Sequence, residues 1–133
     1  MRKLSKNERT ILADNFLQLA QLVGDYRLKH YSELSAMMRS RIRGYHKALI
    51  DYADFFYATS TNIQLENAQP FIEQLKEHVT RLKDLLNSLQ KTQKIMDALG
   101  AATRLGASLV SQQPFAVIAS MNTLIHKIKL LNN

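Results

Sequence analysis

Apolar residues recur at steps of three and four along almost the whole chain, which is the spacing of one face of an α-helix. The first such run follows Ser5, and the order Ser5-Lys6-Asn7-Glu8 predicts a capping box that starts a helix there. A second run covers residues 34–56. A straight continuation of the first helix would turn Arg27 into this second apolar face. We therefore predict a break at residues 29–32, with Ser32 as the N-cap of the second helix. Gly24 is an alternative break point, and a single kinked helix is the other interpretation.

The second half of the chain begins after the polar run Thr59-Ser60-Thr61-Asn62, which predicts a loop and a weak joint at residues 59–67. The third helix is expected to start near Asn67, with Pro70 tolerated in its first turn. If it continues to residue 111, it is about 66 Å long at about 1.5 Å per residue. The spacing therefore indicates a third helix much longer than the others.

The last predicted helix covers residues 114–131, with Val117, Ile118 and Met121 on its apolar face. Short connections between consecutive helices favour antiparallel neighbours. The fold class that we predict is all-α: an antiparallel up-and-down bundle of about four helices, with a long third helix and a C-terminal helical hairpin.

The segment at residues 95–125 is poor in charge, since Asp97 and Arg104 are its only charged residues. It is expected to be buried in a central hairpin, against a second copy of the chain or against a membrane. Small residues spaced four apart would let two helix backbones approach closely. The predicted assembly surface consists of Ala98, Ala102, Gly106, Leu109, Val117 and Met121. Because a long third helix would extend past the last one and leave apolar surface uncovered, we expect a homo-oligomer.

Length and composition narrow the class of protein. A chain of 133 residues fits one domain over residues 1–133. It has no cysteine, which fits a reducing compartment, and a cytoplasmic location is expected. The basic N-terminus leads into polar residues, so no targeting segment is predicted, and no apolar stretch approaches the roughly 20 residues of a spanning helix. The net charge of +7 favours an anionic partner.

Positive charge is most concentrated at residues 26–47, where Glu33 is the single acidic residue. On a helix, four side chains fall on the side opposite the apolar face and form a basic ridge suited to phosphate contact. The basic ridge consists of Arg39, Arg43, His46 and Lys47, and the flanking basic residues are Arg27, Lys29 and Arg41. The alternative interpretation is a solubilising face whose charges are balanced by acidic residues elsewhere.

Recurrent catalytic signatures are absent from the sequence, which has no Gly-rich phosphate loop, Ser-centred elbow or His-Glu-x-x-His motif. The four histidines lack helical metal-site spacing, so neither a metal nor a cofactor is predicted. Arg41-Ile42-Arg43-Gly44-Tyr45-His46 resembles the Arg-x4-His motif of HEPN-domain ribonucleases, a family of small helical bundles, over these six residues. The resemblance implies that Arg41 would position phosphate and that His46 would act in proton transfer at a dimer interface.

Four functions are compatible with these features, and we rank them. The first is a non-enzymatic helical interaction protein that self-associates through its low-charge C-terminal half and presents the basic ridge to an acidic partner. A nucleic-acid-binding accessory protein ranks second. A membrane-active hairpin formed by residues 95–125, meeting an anionic membrane, ranks third. A HEPN-like ribonuclease is a remote fourth, because it depends on Arg41 and His46 alone.

Overall fold

The computed structural model describes residues 2–58, 62–86 and 92–131. Within these residues the chain is all-helical, as predicted, apart from one short strand pair. Five α-helices are present there rather than about four. The elements are β1 (Arg2–Lys3), α1 (Lys6–Lys29), a 3-10 turn (Tyr31–Glu33), α2 (Ala36–Tyr57), β2 (Gln64–Leu65), α3 (Ala68–Leu86), α4 (Thr92–Val110) and α5 (Pro114–Leu131).

Helix α1 starts at the capping box that the sequence predicts. The Ser5 hydroxyl accepts from the Glu8 backbone N–H at 3.1 Å, and the Ser5 N–H donates to the Glu8 carboxylate at 3.0 Å. Arg2 donates twice to the same carboxylate, at 2.6 and 2.7 Å. These bonds to the charged form lower the pKa of Glu8 to about 2, with the Arg2 guanidinium as the main cause. Strand β1 is thereby tied to the first turn of α1.

The break between α1 and α2 is present at the predicted place, but Ser35 rather than Ser32 caps α2. The Ser35 hydroxyl accepts from the Met38 N–H at 3.1 Å. Ser35 has the extended backbone that an N-cap needs (φ −66°, ψ 160°), whereas Ser32 lies inside the 3-10 turn. Because of the extra turn, α2 starts three residues later than predicted.

Opposite ends of α1 and α2 lie side by side. At one end, the Arg9 guanidinium donates to the Ala58 carbonyl at 2.6 Å. At the other, the Arg27 Nε–H donates to the Arg39 carbonyl at 3.3 Å. Between them, the rings of Phe16 and Phe56 are 5.2 Å apart in the core. This pair of helices carries all seven basic residues that the sequence singles out.

A short ribbon joins the N-terminus to the segment before α3. Arg2 pairs with Leu65 and Lys3 with Gln64, and the Leu4 N–H donates to the Ile63 carbonyl at 2.8 Å. Residues 59–61 of the predicted loop lie outside the described residues. The rest of the predicted joint is held by this ribbon.

The prediction of one long third helix is wrong. Helix α3 ends at Leu86 and α4 begins at Thr92, and residues 87–91 lie outside the described residues. Pro70, at the start of α3, lines the same groove as Leu109, at the end of α4. In one continuous helix these residues would be about 58 Å apart. The described residues therefore do not form the overhanging apolar surface from which we expected a homo-oligomer.

Helix α4 is buried over much of its length and packs against α5 and α2. Two tyrosines of α2 rest on its glycines. A Cβ atom on Gly100 would come 3.0 Å from the Tyr45 hydroxyl, and one on Gly106 would collide with the Tyr52 ring and come 2.9 Å from Phe16. Glycine is needed at position 106 because backbone and ring approach this closely.

Candidate binding surfaces

The predicted basic ridge does not form one exposed surface, because Arg39 is engaged within the chain. Its guanidinium donates to the Tyr31 carbonyl at 2.9 Å and to the Leu34 carbonyl at 2.8 Å. It also lies over the Tyr31 ring, 4.6 Å from the centroid. Arg39 therefore holds the 3-10 turn against the start of α2.

His46 and Arg27 also face the contact between α1 and α2. A Cβ atom on Gly24 of α1 would be 3.2 Å from the His46 Nε2 atom, so the imidazole packs on the α1 backbone. The Arg27 guanidinium lies 5.2 Å from the centroid of the Tyr31 ring. Both side chains are half-buried. Two more of the seven basic residues thus have contacts inside the fold.

The four remaining basic residues are exposed and form what we call the basic corner: Lys29, Arg41, Arg43 and Lys47. No ion pair involves them within the described parts of the chain. Glu33, the single acidic residue within positions 26–47, instead contacts His30 Nδ1 at 3.0 Å. Asp25 and Asp51 lie one helical turn from Lys29 and Lys47, respectively. Arg43 and Lys47, four residues apart in α2, lie on one side of that helix, whereas Arg41 points to the opposite side and Lys29 belongs to the last turn of α1.

Two large apolar side chains are exposed where α1 passes into α2. Leu28, in the last turn of α1, is 73% exposed, and Met37, in the first turn of α2, is 70% exposed. We call this pair the apolar tip. Single exposed apolar residues are ordinary, but Met37 lies one helical turn before Arg41 and Leu28 directly precedes Lys29, so each of the two stands close to an exposed cation.

Arg41 and His46 are not brought together within the chain. They are five residues apart in one helix, which turns their side chains about 140° away from each other. Arg41 is exposed, whereas His46 packs on α1. The acid-base arrangement implied by the ribonuclease resemblance is therefore not assembled within the chain.

The predicted assembly surface is core. Its six members are all buried inside a single chain: Ala98, Ala102, Gly106, Leu109, Val117 and Met121. The small residues of α4 do allow a close backbone approach, but the partner is α2 of the same chain, through Tyr52. These residues are therefore not available to a second copy.

Sequence reasoning missed a groove between α3 and the start of α5. It has a volume of about 290 Å³, and its apolar lining comes from Leu65, Pro70, Phe71, Leu109, Val117 and Ile118. Ile118, predicted to lie on the buried face of α5, is 56% exposed, and the neighbouring Phe115 is 88% exposed. The available signal was that the apolar residues of α5 cover more than one helix face, which exceeds what one core contact can bury.

Comparison with known protein families, curated proteins and solved structures gives no match. Among the described residues, no group of three or more His, Asp or Glu side chains is placed to hold a metal ion. No helix in that part of the chain combines the length and apolarity needed to cross a membrane.

Proposed function

We propose that this protein is a non-enzymatic binding module, an antiparallel helical bundle whose basic corner receives an acidic protein partner. The observation that carries the proposal is the set of four exposed cationic side chains that have no ion-pair partner among the described residues. Within this set, Arg43 and Lys47 lie one turn apart on the same side of α2, so their like charges repel each other, and an acidic partner relieves that repulsion.

The apolar tip supports a protein partner over a nucleic acid. Leu28 and Met37 offer apolar area that a phosphate backbone does not cover, whereas a protein interface combines an apolar centre with a charged rim. Tyr31, the exposed tyrosine between them in sequence, is already in contact with two guanidinium groups, so its ring is less available to stack on a base. The partner is accordingly an acidic segment that also carries apolar side chains.

Binding of defined probes tests the proposal. The probe is a synthetic helical peptide with Glu and Leu on one face, and its reference is the same peptide with Gln in place of Glu. We expect the full chain to bind the acidic peptide at least about tenfold more tightly, with affinity falling as salt rises. Arg43→Glu plus Lys47→Glu should abolish the difference. Arg39 is left intact because its bonds hold the 3-10 turn.

A matched control separates the basic corner from net charge. Lys76→Glu plus Lys83→Glu reverses two exposed lysines on α3 and changes the net charge by the same amount. This variant should bind the acidic peptide nearly as well as the parent. If both variants lost the same affinity for the acidic peptide, the binding would depend on the net charge of the chain and not on the basic corner. Tighter binding to a single-stranded oligonucleotide, or to vesicles containing phosphatidylserine, would replace the protein partner with nucleic acid or membrane.

A further inference from the structure

The groove beside α5 lies next to an apolar side chain that has no cover. Phe115, in the first turn of α5, is 88% exposed, and Ile118, one turn further, is 56% exposed and lines the groove. An apolar cavity of about 150 Å³ holds a benzene molecule. A groove of about 290 Å³ therefore has room for a phenyl ring from outside.

The low charge of this face favours a second copy of the chain as the occupant of the groove. The chain carries a net charge of +7, so two copies repel each other over most of their surface. Residues 105–125 contain no Lys, Arg, Asp or Glu, and Glu66 is the single charged residue among those that line the groove. A second copy of this basic chain meets little cationic repulsion at this face, whereas contact through the basic corner would set like charges against each other.

We propose that the groove and Phe115 form a two-fold self-association surface, in which each copy inserts Phe115 into the groove of the other. A two-fold interface uses the same patch on both copies, and it needs a protruding group and its receptor on one face. Phe115 and the groove meet that requirement because Pro114 and Ile118, on either side of Phe115 in the sequence, both line the groove. The surface uses none of the six buried residues first assigned to assembly, and it is independent of the basic corner.

Molar mass of the full chain, measured by sedimentation equilibrium over a range of protein concentrations, tests this inference. We expect a monomer–dimer equilibrium whose dissociation constant falls as salt rises from about 50 mM to about 500 mM, because salt screens the repulsion between the two +7 copies. Phe115→Ser should raise the dissociation constant at least about tenfold. Because Phe115 is 88% exposed, this variant keeps the helicity of the parent, which circular dichroism verifies.

Leu28→Ser is the matched control, since Leu28 is also a large exposed apolar residue but lies at the opposite end of α1 from the ribbon and outside the groove. It should leave the dimer intact. A chain that stays monomeric at every concentration would overturn the inference. So would a dimer that Leu28→Ser dissociates and Phe115→Ser does not, or one that high salt dissolves. None of these outcomes depends on binding of the acidic peptide, so the two proposals fail separately.

Discussion

Helices α4 and α5 are both poor in charge, yet they use their uncharged residues differently. In α4, eleven of 19 residues are buried, against five of 18 in α5. Helix α4 is covered by α2 and α5, whereas α5 turns Phe115 and Ile118 outward. The same compositional signal therefore arises from an enclosed helix in one case and from an uncovered face in the other.

Side-chain size distinguishes the two helices better than charge does. Small residues fill α4, and Tyr45 and Tyr52 of α2 approach its backbone at Gly100 and Gly106. Helix α5 carries larger apolar residues on more than one face, and one packed layer cannot cover them all. Low charge together with small side chains thus indicates close packing within the chain, and low charge together with large ones indicates a surface that remains open.

The largest difference between α4 and α5 is expected when the same charged residue is introduced into each helix and the free energy of unfolding is compared. Ala102 of α4 is fully buried, so Ala102→Lys places an unpaired ammonium in the core and should lower the free energy of unfolding by at least about 3 kcal/mol. Ala119 of α5 is exposed, and Ala119→Lys should change it by less than about 0.5 kcal/mol. Urea denaturation of both variants measures the difference. Similar losses in the two variants would show that α5 is as enclosed as α4.

Glycine substitutions should give the next largest contrast. Gly106→Ala forces a methyl group against the rings of Tyr52 and Phe16, and should lower the free energy of unfolding by about 1 to 3 kcal/mol. Gly44 of α2 has open space where a Cβ atom would be added, so Gly44→Ala should instead raise it by up to about 1 kcal/mol through helix propensity. Thermal unfolding of the two variants measures the expected loss of stability in Gly106→Ala and the expected gain in Gly44→Ala. Stabilisation by Gly106→Ala would mean that the tyrosine does not rest on α4.

Local signals in the sequence were sufficient for several helix ends. The capping box at Ser5 and the last helix at Pro114–Leu131 are where the sequence predicts them, because each depends on residues within one or two turns. Ser32 and Ser35 offer nearly the same local signal. Only the 3-10 turn, held by Arg39 from the following helix, decides between them.

Non-local contacts could not be predicted in the same way. The apolar spacing of α3 continues without interruption towards α4, and no glycine or proline marks the point where the helix ends. The ribbon joins residues more than 60 positions apart and carries no local pattern. The sequence shows where the basic residues are, but which of them remain exposed depends on Tyr31 and Gly24, whose positions are set by the packing of α1 on α2.

The smallest effect concerns the contact between α3 and the C-terminal end of α5, where a titratable group is half-buried. His78 of α3 has an Nδ1 atom with no hydrogen-bond partner among the described residues. Burial lowers the pKa of His78, Arg81 and Lys129 lower it further, and Glu77 opposes them. A folded-state pKa below the unfolded value means that the unfolded chain binds the proton more readily. The effect of His78 on the free energy of unfolding therefore leaves the fold at its most stable above about pH 6.5, and this stability is lost as the pH falls below that value.

Replacing the histidine should remove this part of the acid sensitivity. The parent should lose stability between about pH 7.5 and about pH 5.5, by less than about 1 kcal/mol because water screens a half-buried group, and His78→Gln should lose less over the same range. His126→Gln is the matched control, since that histidine lies on the exposed side of α5. If His126→Gln, and not His78→Gln, flattened the pH profile, the sensitive contact would lie on the open face of α5. The contact between His78 of α3 and α5 would then not depend on pH, and we expect the same of the uncharged buried residues of α4.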